Sequence, residues 1–89
     1  MSKILIVDDD QDVVSVTSIF LREGGHEVEA ELDAKKALAR IEAVRPDLLV
    51  LDVMFPDDST AGFQLAREIR QKHSALPIIM VTSVNQSSP

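Results

Sequence analysis

The chain has 89 residues, of which 45% are hydrophobic, three are Phe and none is Trp, Tyr or Cys, and its formal net charge is −6. This composition describes one small domain with an aliphatic core, and it excludes a disulfide framework, a thiol nucleophile and thiolate metal ligation, leaving oxygen to hold any metal. The acidic balance opposes direct contact with nucleic acid or an anionic membrane; with no apolar run of about 18 residues and no signal-type N-terminus, the expectation is a soluble, cytoplasmic protein.

Residues 4–7, Ile-Leu-Ile-Val, form a continuous apolar run that predicts a strand covered on both faces, and it ends abruptly in Asp8-Asp9-Asp10. Like charges this close resist ionisation unless a cation or strong donors offset them, and Mg²⁺ is the simplest compensation. The plainer reading is an acidic strand end in which Asp10 serves as a helix N-cap. From 11 to 23, Val13, Val16, Phe20 and the flanking Ile19 follow helical spacing, with Gly24-Gly25 as the C-terminal stop. Residues 26–32 alternate, placing Val28, Ala30 and Leu32 on one side and Glu27, Glu29 and Glu31 on a solvated one, which suits a strand near a sheet edge. Asp33 can cap a second helix that presents Ala34, Ala37, Leu38 and Ile41, runs to about Val44 and ends before Pro46.

Leu48-Leu49-Val50-Leu51 reads as another buried strand, and it too ends in an acid, Asp52. A polar loop over 53–61 precedes a third helix carrying Phe63, Leu65, Ala66 and Ile69 and ending near Lys72-His73. Pro77-Ile78-Ile79-Met80-Val81 is a further apolar strand, stopping at Thr82-Ser83. The order β-α-β-α-β-α-β predicts an α/β fold, a mostly parallel, doubly wound sheet with helices on both faces in three layers. Ligands of such sheets sit beyond the carboxyl ends of the strands, and this gathers Asp8, Asp9, Asp52 and Thr82 at one edge. Oxygen ligands from two strands suit octahedral Mg²⁺, and an Asp can itself be a phosphoryl acceptor. Asp52 is the better nucleophile candidate because it stands alone at its strand end, with Asp8 and Asp9 to hold metal and the Thr82 hydroxyl to meet an added phosphoryl group.

These residues resemble the receiver domain of two-component response regulators, through Ile4 to Asp10, through Leu48 to Pro56 with Gly62, and through Leu76 to Ser83. The resemblance spans residues 1–89 as a single domain. It implies a flavodoxin-like fold with strand order 2-1-3-4, Asp52 as phospho-acceptor, and Mg²⁺ held by Asp8, Asp9, Asp52 and the Met54 backbone carbonyl. It also implies Thr82, with Ser83 beside it, as the switch and phosphoryl-binding hydroxyls, and a sensor histidine kinase or phosphotransfer protein as phosphoryl donor. The domain is then a signalling phosphoacceptor, acting as an enzyme only on its own phosphorylation and dephosphorylation.

Two departures accompany the resemblance. Gly62 lies ten residues after Asp52 where receivers usually have eight, so the loop with Asp57 and Asp58 is longer; those acids read as a solvated turn. The family's fifth strand, the lysine that ends it and the fifth helix have no counterpart here, which implies a partial receiver and leaves residues 77–81 as an exposed apolar edge open to homodimer pairing. Lys72 belongs at the wrong end of the sheet to replace that lysine, and reads as a cation at a helix C-terminus. His26 and His73 read as surface or capping residues. A receiver-like interaction module independent of phosphorylation and a small metal-dependent phosphohydrolase remain as alternatives.

Overall fold

A computed structural model describes residues 2–52 and 61–81. β1 (Lys3–Val7) is followed by α1 (Gln11–Glu23), β2 (Glu27–Glu31), a 3-10 turn (Ala34–Lys36), α2 (Ala37–Val44), β3 (Leu48–Asp52), α3 (Ala61–Lys72) and β4 (Ile78–Val81). All pairings are parallel and the order is β2-β1-β3-β4, as expected for a flavodoxin-like sheet. Ile4 pairs with Val28 on one side and Leu48 on the other, which makes β1 the strand through which the two halves of the sheet are joined.

The apolar runs of β1 and β3 are buried because both faces of the sheet carry helices. On one face Leu5, Val7, Leu49 and Leu51 pack with Ala37 and Ile41 of α2 and Ile69 of α3. On the other, Ile4, Ile6 and Val28 pack with Val14 of α1, with Leu21, Leu48 and Val50 at the margin. At roughly 25 cal/mol per Å² of apolar surface, these two clusters supply most of the driving force of so small a domain.

Two elements depart from the sequence reading. The apolar spacing at Val13, Val16, Ile19 and Phe20 correctly marks α1, yet the residues that α1 buries are Val14 and Ser18, and Phe20 is 69% exposed. The cause is composition: residues 13–21 are apolar or hydroxylic all round, so packing rather than hydrophobic period sets the phase of the helix. In β2 only Val28 is buried, while Ala30 and Leu32 are exposed, since an edge strand is covered on part of one face. Glu29 and Glu31 are also less solitary than a solvated stripe: Arg40 of α2 lies 3.2 Å from Glu29 Oε1 and 3.6 Å from Glu31 Oε1.

Turns follow the sequence closely. Asp33 accepts from Lys35 N at 2.9 Å, capping the 3-10 turn that leads into α2. α1 stops where the Gly24 and Gly25 amides donate back to Phe20, Leu21 and Arg22 carbonyls, with Gly25 at φ 89°. A Cβ at Gly25 would meet nothing within 4 Å, so only backbone strain opposes substitution there. Gly25→Ala is therefore expected to cost about 1 kcal/mol by urea unfolding, with no change in sheet packing. His26 Nδ1 accepts from Ser2 N at 3.3 Å, and His73 is half-buried with Nε2 unpaired, so neither is placed for catalysis.

Candidate phosphoacceptor and metal site

The site forms because β1 and β3 are neighbours that end level, with Val7 paired to Leu51. Asp8 follows Val7 directly, and its amide donates to the Glu31 carbonyl at 3.1 Å, extending the β1–β2 ladder by one residue. That bond holds Asp8 in the sheet, where it is 5% exposed; Asp52, the last residue of β3, is 8% exposed, and Asp9 faces solvent. One carboxylate oxygen from each of Asp8, Asp9 and Asp52 lies within 4.8 Å of the other two. Asp10 turns away from them: its Oδ1 accepts from Asp12 N at 3.0 Å and Val13 N at 3.3 Å, so it caps α1.

Burial pushes the Asp8 carboxyl up from 3.8 to about 6. The Asp10 amide, 2.9 Å from Asp8 Oδ1, opposes the rise; a hydrogen bond shared with Asp52 and the negative charges of Asp52 and Asp9 reinforce it. A carboxyl–carboxyl hydrogen bond needs a proton, and a cation among the three acids would remove that need. The donor set fits a hard divalent ion: three carboxylates on two strands and a backbone frame fixed by sheet hydrogen bonds, with one acid open to solvent where such an ion keeps its waters.

The sequence matches the family model for the response regulator receiver domain over residues 4–89. The chain belongs to this family. It is 36% identical over 84 residues to the alkaline phosphatase synthesis transcriptional regulatory protein PhoP of Bacillus subtilis, covering 94% of this chain and 34% of that protein. It is 41% identical to the regulatory protein VanRc of Enterococcus gallinarum over 91% of this chain, again 34% of the relative. The receiver thus spans about a third of the length of these curated relatives. Among solved structures it is similar to the Thermotoga maritima response regulator TrrA in complex with Mg(2+)-BeF, with TM-score 0.84 and 32% identity over 96% of this chain and 72% of that one. It also resembles the N-terminal domain of a receiver protein from Methanoculleus marisnigri, with TM-score 0.83 and 27% identity over 94% of this chain and 68% of that one.

Of the residues expected at the receiver site, the structure brings Asp8, Asp9 and Asp52 together. Met54, Thr82 and Ser83 lie outside the described residues, as does the lengthened loop with Asp57 and Asp58. Lys72 ends α3, which crosses back from the carboxyl ends of the strands, and so stands at the far end of the sheet. The contribution of Glu31 was not legible beforehand: its carbonyl fixes the Asp8 backbone, and no side-chain pattern announces a backbone acceptor. No described helix is long and apolar enough to cross a membrane.

Proposed function

We propose that this receiver accepts a phosphoryl group on Asp52 from the phosphohistidine of a sensor histidine kinase or phosphotransfer protein. The observation that carries this reading is the convergence of two buried acids and one exposed acid at the carboxyl end of two adjacent parallel strands. In the transfer, an Asp52 carboxylate oxygen bonds to phosphorus as the phosphorus–nitrogen bond breaks, and the freed imidazole nitrogen takes up a proton. Asp8, Asp9 and Asp52 would hold Mg²⁺, with the Met54 carbonyl as a further ligand; when bound, the ion neutralises charge on the phosphoryl oxygens. Thr82 and Ser83 supply hydroxyls toward the added group. Asp10 and the Glu31 carbonyl act as positioning groups, the first by fixing the start of α1 and the second by holding Asp8 in the sheet.

The added charge then biases a downstream output. The acidic balance keeps direct nucleic-acid contact away from these residues, so in a longer regulator such contact would fall to other regions. The other partner is a second copy of the chain, favoured by exposed Ile79, Met80 and Val81 on β4.

Intact-mass spectrometry after incubation with acetyl phosphate and Mg²⁺ tests the phosphoacceptor reading. The expected result is an adduct of one phosphoryl group, lost on chelation and in Asp52→Asn. An unmodified wild-type chain, or an adduct that persists in Asp52→Asn, would overturn it.

A further inference from the structure

β2 borders the sheet on the side away from β4, and β1 is the strand that pairs with it. The carboxyl end of such a strand, held by one neighbour and followed by a loop, is where a ladder opens first. In this chain that end carries a duty at the acid site, because the Glu31 carbonyl accepts from Asp8 N at 3.1 Å. Whatever fixes Glu31 therefore fixes Asp8.

Glu31 is anchored by its own side chain, which is 15% exposed, with Oε1 lying 3.6 Å from Arg40 Nε. The other carboxylate oxygen, Oε2, accepts from Asp33 N at 3.0 Å. Asp33 in turn accepts at Oδ1 from Lys35 N at 2.9 Å and at its carbonyl from Lys36 N at 3.0 Å, shaping the 3-10 turn that runs directly into α2. α2 carries Arg40 back over the strand, where Nη2 donates to Glu29 Oε1 at 3.2 Å and reaches the Ala30 carbonyl at 3.5 Å. The connection from β2 to α2 is thus closed into a ring between Glu31 and Arg40, and the ring meets the acid site at the Glu31 carbonyl.

We propose that Arg40 is a positioning residue for the metal site, acting through the Glu31 carboxylate to hold Asp8 beside Asp9 and Asp52. The proposal rests on reading those three acids as the Mg²⁺ site. Arg40 contacts Glu29, Ala30 and Glu31 rather than the site acids, so its influence passes through the backbone of residue 31. A guanidinium suits this role because its planar fork addresses two carboxylates and a carbonyl at once, which a compact ammonium does less well. The sign of its effect separates position from charge. By charge alone, removing a cation from the neighbourhood would tighten Mg²⁺ binding. By position, removing Arg40 frees the end of β2, lets Asp8 leave the sheet and loosens the ion.

Amide hydrogen exchange read by NMR and Mg²⁺ titration read by calorimetry, on wild type and Arg40→Ala, test it. In Arg40→Ala the Asp8 amide should exchange about tenfold faster, while the Leu49 amide, bonded to the Pro77 carbonyl, keeps its protection. Mg²⁺ should bind about threefold to tenfold more weakly. The thermal midpoint should hardly move, since an ion pair this close to solvent contributes little to global stability. Glu31→Ala keeps the carbonyl and removes the anchor; it should release the Asp8 amide to the same degree, and adding Arg40→Ala to it should release that amide no further. Unchanged Asp8 exchange in Arg40→Ala would overturn the proposal, as would tighter Mg²⁺ binding. An undiminished effect of Arg40→Ala in the Glu31→Ala background would also overturn it, placing the action of Arg40 elsewhere. A wild-type protein that binds no Mg²⁺ would overturn the metal-site reading together with the proposal, whereas normal Mg²⁺ binding in Arg40→Ala would overturn the proposal alone.

Discussion

Leu49→Ala is expected to remove a large part of the stability of the domain. Leu49 is fully buried at the centre of β3, pairs in register with both Leu5 and Ile78, and belongs to the cluster formed with α2 and α3. Truncating such a leucine leaves a cavity that neighbouring strands cannot close, at a cost of about 2–5 kcal/mol. A domain of this size has roughly 5–10 kcal/mol in total, so the midpoint of thermal unfolding should fall by about 10–25 °C. Leu32→Ala, at a side chain 44% exposed just beyond β2, should cost about 0.5 kcal/mol or less. Thermal melts followed by circular dichroism compare the two, and near-equal shifts would contradict the placement of the core.

The metal-free chain should lose stability as pH rises from about 4 to about 7, because of Asp8. Its carboxyl titrates at about 6 in the fold against 3.8 as a free side chain. Between those values the folded chain binds more protons than the unfolded chain, so stability falls with increasing pH and levels off above the folded value. A shift of this size, reduced for the solvent at the rim of the site, corresponds to a cost on the order of 2 kcal/mol at neutral pH. Asp8→Asn keeps the size and removes the charge. In chelator it should therefore be more stable than wild type at about pH 7.5 and equal to it near pH 4, which a pair of melting curves across pH will read. Added Mg²⁺ should raise the wild-type midpoint at neutral pH more than near pH 5, where protons compete for the same oxygens. A difference between the two proteins that does not vary with pH would show that Asp8 does not carry this cost.

The strands were legible because buried parallel strands are written as unbroken runs such as Ile4 to Val7 and Leu48 to Leu51, whereas their order came from the family resemblance and not from the runs themselves. The phase of α1 was not legible, since Val-Val-Ser-Val-Thr-Ser-Ile-Phe-Leu offers apolar side chains in every direction and only the sheet beneath selects Val14 and Ser18. At the site, the convergence of Asp8, Asp9 and Asp52 followed from topology, and Asp10 as a cap followed from its position before a helix. Which acid would bear the strain of the cluster did not follow. Asp8 bears it because the Glu31 carbonyl draws its backbone one residue further into the sheet, leaving Asp9 outside. Such a distinction depends on a single main-chain hydrogen bond and leaves no mark in residue type.

The position of β1 between β2 and β3 has a consequence for how the chain folds. β1 joins β2 through partners 24 residues away, such as Lys3 with Glu27, but joins β3 through partners 44 residues away, such as Ile4 with Leu48. Closing the longer loop is entropically costlier, and parallel pairings of this range form slowly. Asp8 and Asp52 therefore meet only when β3 docks, so their repulsion acts on that late step. A divalent cation able to bridge the acids would lower the barrier to completing the sheet, and metal affinity would appear in a refolding experiment only once the β1–β3 ladder has closed.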